Sequence, residues 1–198
     1  MPHRPRSGPA HDLLVANRGE IAVRIIRTAR QLGLKTVAVY SDADRAAPHV
    51  RLADTAVRLG PAPAKESYLD ADLVLKAAKD AGAGAIHPGY GFLSEDAEFA
   101  RRCEAAGIVF VGPTHRQLEL FGAKHTARAA AEAAGVPLAP GTGLLPSLEG
   151  ALEAADAIGY PVMLKATGGG GGIGMSACRS AAELTDAWDR VQRVAAAS

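Results

Sequence analysis

Cysteine is scarce in this chain, and long apolar runs are missing. Cys103 and Cys178 are the only two cysteines in 198 residues. They stand far apart, so neither has the nearby second thiol that a metal clip or redox pair requires. Both are expected to behave as small buried hydrophobes, Cys103 in a helix and Cys178 in a strand. The six histidines, His3, His11, His49, His87, His115 and His125, show no metal-ligand spacing. Nothing approaches the ~20 apolar residues that cross a bilayer. Charge bias is also lacking: Lys and Arg total 22 against 21 Asp and Glu. That balance supplies no field for nucleic acid or an anionic membrane. Residues 1–11 hold three prolines and two arginines without an apolar centre. They read as a disordered leader rather than a secretory signal, and the expected compartment is the cytoplasm.

What the chain does contain is an alternation of short apolar runs and helical periods. Leu13 to Ala16 suits a strand buried on both faces. Ile21, Ile25, Ala29 and Leu32 follow at helical spacing, with Arg24, Arg27 and Arg30 on another face. Thr36 to Tyr40 reads as the second strand, and Ala56 to Leu59 as a weaker third. Leu69, Leu73, Ala77 and Ala81 share a helical face. Ala85 to His87 is a strand ended by Pro88, residues 97–106 are helical, and Ile108 to Val111 is another strand. Strand–helix repetition of this kind predicts a mostly parallel α/β sheet.

After Gly112-Pro113 the pattern changes. Helices are expected over 114–121, 124–134 and 148–158, then a strand over 162–167 and its partner over 175–178. A last helix runs from Ala181 to about Ala195. The predicted division is a leader at 1–11, one subdomain at 12–125 and a second at 126–198, with the boundary falling between 112 and 140.

The chemistry gathers around glycine. Thr167 is followed by Gly168, Gly169, Gly170, Gly171 and Gly172, then Ile173 and Gly174. Such a run either forms a flexible linker or wraps backbone N–H donors around phosphate oxygens. It joins two hairpin-like strands rather than two domains, and each glycine adds freedom to the unfolded chain worth ~0.4–1 kcal/mol. Both points favour a loop that must approach a ligand closely. Gly169, Gly171 and Gly174 satisfy G-x-G-x-x-G, but a dinucleotide fold needs a helix next. A Walker A loop needs Lys where Met175 stands.

Lysine is scarce too, with six in the chain, and Lys165 lies at the mouth of the glycine run. Its ammonium could sit against phosphates there. Lys124 opens a helix, where a cation opposes the macrodipole unless an anion lies nearby; it is either a ligand contact or a solvated surface lysine. His87-Pro88-Gly89-Tyr90-Gly91-Phe92-Leu93-Ser94-Glu95 follows a strand, where open α/β sheets place their ligand crevice. Its glycines would let the backbone present the Tyr90 phenol, while Ser94 has the alternative role of an N-cap. Asn17-Arg18-Gly19-Glu20 either serves a ligand or caps the first helix, capping being the favoured reading. The arginine stripe reads as a solvated face.

In combination, Ala16 through Ala22, His87 through Glu95, Gly135-Val136-Pro137 with Pro140-Gly141, and Gly159-Tyr160-Pro161 through Met175 resemble biotin carboxylases. They occur in family order over nearly the whole chain after residue 12. The resemblance implies a Rossmann-like, pre-ATP-grasp subdomain followed by an incomplete ATP-grasp lid. Members of that family use MgATP and bicarbonate to form carboxyphosphate and then carboxylate N1 of biotin on a carrier domain. By that similarity Lys124, Lys165 and Gly168 to Gly174 would contact ATP phosphates. Tyr90 would lie near the biotin end of the crevice, and Arg27 on a face used for homodimer formation.

Ile173, Ser176 and Ala123 stand where acyl-CoA-type members usually have Arg, Arg and Asp. Lys124 to Arg128 and Pro140 to Leu145 look more like urea carboxylases, which make allophanate from urea. The resemblance leaves three alternatives: a fragment of an acyl-CoA or pyruvate carboxylase, a non-catalytic module that pairs with intact carboxylase subunits, and another ATP-grasp ligase such as a purine-biosynthetic carboxylase. Family members are more than twice as long. The Mg²⁺-binding glutamates, bicarbonate-binding basic residues and catalytic glutamate are therefore expected outside these 198 residues. No residue here is assigned a catalytic or metal-ligating role, and the chain alone is expected to be inactive.

Overall fold

The computed structural model describes residues 12–166 and 174–196. They form two compact units, divided after Leu118.

The first unit is a five-stranded parallel sheet in the order β3-β2-β1-β4-β5. Its strands are β1 (Asp12–Val15), β2 (Thr36–Ser41), β3 (Thr55–Gly60), β4 (Ala83–His87) and β5 (Val109–Phe110). Side chains alternate across a strand, and here both faces are apolar. Leu13, Val15 and Ala38 meet Ala22, Ile25, Ile26 and Ala29 of helix α1 (Gly19–Gln31). Leu14, Ala16, Val37 and Val39 share the opposite core with α3 (Ala71–Asp80) and α4 (Ala97–Ala105). Helices on both faces of a parallel sheet give the α/β class that the strand–helix repetition implies. The short α2 (Pro48–Leu52) packs against α1.

Several local expectations need correction. Leu32 is 72% exposed and lies just past α1; the buried stripe runs through Ala22, Ile25, Ile26 and Ala29. Leu69 precedes α3, which buries Val74, Leu75, Ala77 and Ala78. Asp70 caps that helix, accepting the Leu73 N–H at 3.0 Å. Ser94 is not the cap of α4: Asp96 accepts the Phe99 N–H at 2.9 Å. In α3 and α4 an Asp one residue before the helix supplies the oxygen that an orphan N–H requires.

The second unit contains α6 (Lys124–Ala133), α7 (Leu148–Ile158), β6 (Val162–Lys165), β7 (Met175–Cys178) and α8 (Ala181–Ala196), with α5 (His115–Gly122) leading into it. β6 and β7 pair antiparallel. One face of the hairpin packs on α7 and α8 through Ala151, Ala155, Val162, Leu164, Cys178, Leu184 and Ala187. Cys103 and Cys178 are both fully buried, and burial pushes the Cys103 thiol up to about 11. Both fit the small-hydrophobe role. No helix among the described residues is long and apolar enough to cross a membrane.

Candidate functional site

In the first unit, β1 and β4 are neighbours from which the strand order runs in opposite directions. The crevice beyond their carboxyl ends is a topological switch point, where sheets of this kind bind ligands. The turn after β1 and the loop after β4 meet there. The Ala16 N–H donates to the His87 carbonyl at 2.9 Å. Asn17, buried, donates from Nδ2 to the carbonyls of Pro88 and Tyr90, each at 2.8 Å. Gly89 has φ +68, a left-handed conformation that favours glycine. Its N–H donates to His87 Nδ1 at 3.1 Å, which leaves the histidine proton on Nε2. Burial, with Arg24 nearby, lowers the His87 pKa. Tyr90 is 62% exposed, and its hydroxyl donates to Glu20 Oε1. That bond raises the phenol's pKa above its ordinary value.

The floor beside this crevice is a charged network that the sequence patterns do not reveal. Arg18 donates from Nε and Nη2 to Asp44 at 2.7 and 2.6 Å, a bidentate pair. The Tyr68 hydroxyl donates to Asp44 at 2.7 Å and accepts the Ser41 N–H at 2.9 Å. Ser41 Oγ adds a fourth bond to Asp44 at 3.2 Å. Arg18 beside it lowers the Asp44 carboxyl to about 2, and burial, aided by Asp44, raises the Tyr68 phenol to about 12. Phe92, in the loop after β4, stacks on Tyr68 with ring centroids 5.1 Å apart. Below them His49 is fully buried. Its Nε2 lies 3.3 Å from the Val39 carbonyl, and its Nδ1 has no partner among the described residues. Burial lowers its pKa.

Asn17 to Glu20 therefore does not cap α1 by side chain: Arg18 occupies the N-cap position and makes no such bond. The four residues instead tie the turn after β1 to the loops after β2 and β4. Only the extended polar stretch Asn17-Arg18-Gly19-Glu20, too long for a single cap, signals this in the sequence. Arg24 and Arg27 are exposed as expected of a solvated stripe. With Glu20, Val23 and Pro48 they line a surface cavity of about 680 Å³.

In the second unit, Val162 and Leu164 point inward while Met163 and Lys165 are exposed. Lys165 pairs in register with Met175, and Met163 with Ala177. The outward face of the hairpin is thus a lysine among methionines and alanine. The hairpin is tied at Ala166, whose N–H donates to the Gly174 carbonyl at 2.8 Å, and Gly174 has φ +73. Residues 167–173 join the two strands; Gly168, Gly169, Gly170, Gly171 and Gly172 lie outside the described residues. Lys165 makes no ion pair or hydrogen bond among the described residues, so its charge fits an anionic ligand. Lys124 opens α6 without a side-chain cap. Thr126 fastens that turn through the carbonyls of Leu120 and Ala123, at 2.7 and 2.9 Å. Tyr90 belongs to the first unit, and Lys124, Lys165 and Gly174 to the second. A cavity of about 690 Å³ in the second unit is lined by Arg128, Glu132, Val136, Leu138, Pro140 and Ile158.

Comparison with known proteins gives these features a context. Residues 123–198 match the carbamoyl-phosphate synthase L chain, ATP binding domain. The urea amidolyase of Lachancea kluyveri is 53% identical over 184 residues, covering 93% of this chain and 10% of that protein. The mitochondrial methylcrotonoyl-CoA carboxylase subunit alpha of Oryza sativa subsp. japonica is 54% identical, over 94% of this chain and 25% of its own length. Biotin carboxylase 1 of Bacillus subtilis is 50% identical, over 93% and 41%. This chain therefore spans about two fifths of that carboxylase and a quarter or less of the other two relatives. The biotin carboxylase domain dimer of Hydrogenobacter thermophilus 2-oxoglutarate carboxylase was solved with MgADP, ADP and bicarbonate. It superposes with a TM-score of 0.90 at 45% identity, over 95% of this chain and 42% of that one. Residues 9–118, more than half of the sequence and nearly the whole first unit, match the biotin carboxylase N-terminal domain; with the parallel sheet and the loops at its switch point, that match makes the chain a member of the biotin carboxylase family.

Proposed function

We propose that the chain is the N-terminal part of a biotin-dependent carboxylase of the urea type, which uses ATP and bicarbonate to carboxylate biotin on a carrier domain. The observation that carries the reading is the β6–β7 hairpin. Lys165, without an ion pair or hydrogen bond among the described residues, stands at its tied end on an exposed face, and five consecutive glycines follow after two intervening residues in the sequence. In this proposal residues 12–125 are the pre-ATP-grasp subdomain and 126–198 the start of the lid. Lys165, Lys124 and Gly168 to Gly174 hold and neutralise ATP phosphates, charge compensation being the main service a protein gives phosphoryl transfer. Tyr90 faces biotin. Mg²⁺, when bound, would supply charge compensation for the phosphates; the proposal assigns no residue of this chain as its ligand. The chain alone then carries out no turnover. The exposed α1 face around Arg27, with its cavity, is the proposed homodimer contact. Light scattering checks that contact: a dimer that Arg27→Glu dissociates supports it, and a monomeric parent chain opposes it.

The urea type rests on Ile173, Ser176 and Ala123 and on the segments 124–128 and 140–145. Transplantation tests it. Residues 12–198 replace the matching segment in the Lachancea kluyveri urea amidolyase and, separately, in the rice methylcrotonoyl-CoA carboxylase subunit. Urea-dependent ATP cleavage in the first host, exceeding acyl-CoA-dependent cleavage in the second, is the expected result. The reverse order assigns the chain to the acyl-CoA type, and inert but folded hybrids in both hosts remove the carboxylase reading. ATP- and bicarbonate-dependent carboxylation of free biotin by the purified 198-residue chain would overturn its assignment as an inactive part.

A further inference from the structure

Asn17 has 3% of its surface exposed, yet it bonds to three backbone groups in two separate segments. Nδ2 donates to the carbonyls of Pro88 and Tyr90, 71 and 73 residues away, at 2.8 Å each. Oδ1 accepts the Arg18 N–H at 2.9 Å. Both partners of the nitrogen are acceptors and the partner of the oxygen is a donor, so only one orientation of the carboxamide satisfies all three. A second, independent sign lies at Gly89, between the two gripped carbonyls. A Cβ there would stand 2.8 Å from Asn17 Nδ2 and 3.2 Å from Ile21 Cγ1. Glycine at 89 thus serves close approach to Asn17 as well as the left-handed turn.

This grip bears on the most exposed group of the crevice. The Tyr90 backbone is held by Asn17 while its ring projects outward, and its hydroxyl reaches Glu20 at the start of α1. That helix begins two residues after Asn17, in the turn whose Arg18 N–H Asn17 also holds. Both ends of the Tyr90–Glu20 bond are therefore referenced to one buried carboxamide. We propose that Asn17 is the positioning residue for Tyr90, setting the place of the phenol at the switch-point crevice between β1 and β4. It touches no reacting group and acts only through the loop it holds. That the phenol there faces biotin rests on the function proposed above; that Asn17 places it does not.

Asn17→Asp separates positioning from mere folding. The isosteric carboxylate keeps the acceptor for the Arg18 N–H but loses both N–H donors and turns negative oxygen toward two carbonyls. The test uses the full 198-residue chain with ring-labelled tyrosines, the Tyr90 resonance being assigned with Tyr90→Phe. In Asn17→Asp the Tyr90 ring and Gly89 amide signals are expected to move, and Tyr90 to ionise at lower pH as its bond to Glu20 is lost. Tyr68, fastened by Asp44 and Ser41, should stay in place. Glu20→Gln should also let Tyr90 ionise at lower pH while leaving the Gly89 amide unmoved. Gly89→Ala, which presses on the same contact from the loop side, should reproduce the Asn17→Asp pattern and serves if that variant does not fold. Unmoved Tyr90 and Gly89 signals in Asn17→Asp would overturn the proposal, as would Tyr68 shifts as large as those of Tyr90. None of these readouts needs turnover, so inert transplants in the urea and acyl-CoA hosts would remove the biotin assignment without deciding the role of Asn17.

Discussion

The two units of this chain place polar chemistry in different ways. In the sheet unit a core of large side chains covers both faces, and the polar groups above it are locked into one another: Asn17 to two carbonyls, Arg18 to Asp44, Asp44 to Tyr68 and Ser41. In the hairpin unit one face packs in a smaller cluster around Ala151, Ala155, Cys178, Leu184 and Ala187, and the lysine on the other face has no ion pair or hydrogen bond among the described residues. The first arrangement is already satisfied and suits holding a loop in a fixed place. The second leaves the Lys165 side chain on an exposed face.

That contrast can be broken first at the cores. Phe99 is fully buried with its ring 6.1 Å from that of Phe110, and Phe99→Ala should cost about 3–5 kcal/mol. Leu184→Ala, in the shallower core of the second unit, should fall nearer the low end of the leucine range, about 2–3 kcal/mol. Urea titration gives each cost, and hydrogen exchange shows whether the loss stays within its own unit. Equal and shared losses would mean that the two units unfold as one.

The network offers the next cut. Asp44→Asn removes the charge that Arg18 grips and should destabilise the sheet unit by about 2 kcal/mol. A change below ~0.5 kcal/mol would make the pair an incidental contact.

Acid sharpens the same point. His49 and His87 have folded pKa values below the unfolded value of ~6.5. Unfolded chains therefore take up more protons, and stability is lost as pH falls below ~6.5. Asp44 is likewise depressed, so its contribution is present above the unfolded carboxylate value of ~3.9 and lost as pH falls toward about 2. Urea midpoints measured from pH 7.5 to 4.5 should decline, and His49→Gln should flatten that decline. A flat parent profile would contradict the neutral buried histidine.

The smallest effect concerns the loop after β4. Asp96→Ala should cost about 1 kcal/mol by removing the cap of α4, whereas Ser94→Ala should stay within ~0.5 kcal/mol. Thermal melts of the two variants distinguish them.

The strand positions and most helix bounds were legible because apolar periodicity reports burial directly; the order of the strands across the sheet was not. Leu13 to Ala16 and Thr36 to Tyr40 are continuous apolar runs, as strands buried on both faces must be. The misplacements share a cause. Leu32, Leu69 and Ser94 each sit within three residues of a helix end, where an apolar residue or a hydroxyl fits the pattern but a neighbouring Asp or the chain's exit decides the boundary. Among the candidate residues, Tyr90, Lys124, Lys165 and the glycine run stood out because residue type and position beside a strand or helix end mark them. Asn17 and Arg18 stood out only as a polar turn with capping favoured, and Asp44 not at all, because the Asn17–Pro88, Asn17–Tyr90 and Arg18–Asp44 bonds span 71, 73 and 26 residues and no local spacing encodes them. Asp44 in particular sits in Ser41-Asp42-Ala43-Asp44, which reads as an ordinary polar turn.

The most direct measurement of the central claim places residues 12–198 in biotin carboxylase 1 of Bacillus subtilis and follows bicarbonate-dependent ATP cleavage, with and without Lys165→Ala. The account requires that the hybrid cleave ATP and that the substitution reduce cleavage on the order of a hundredfold or more. A folded hybrid without cleavage, or one that Lys165→Ala leaves undiminished, would contradict it.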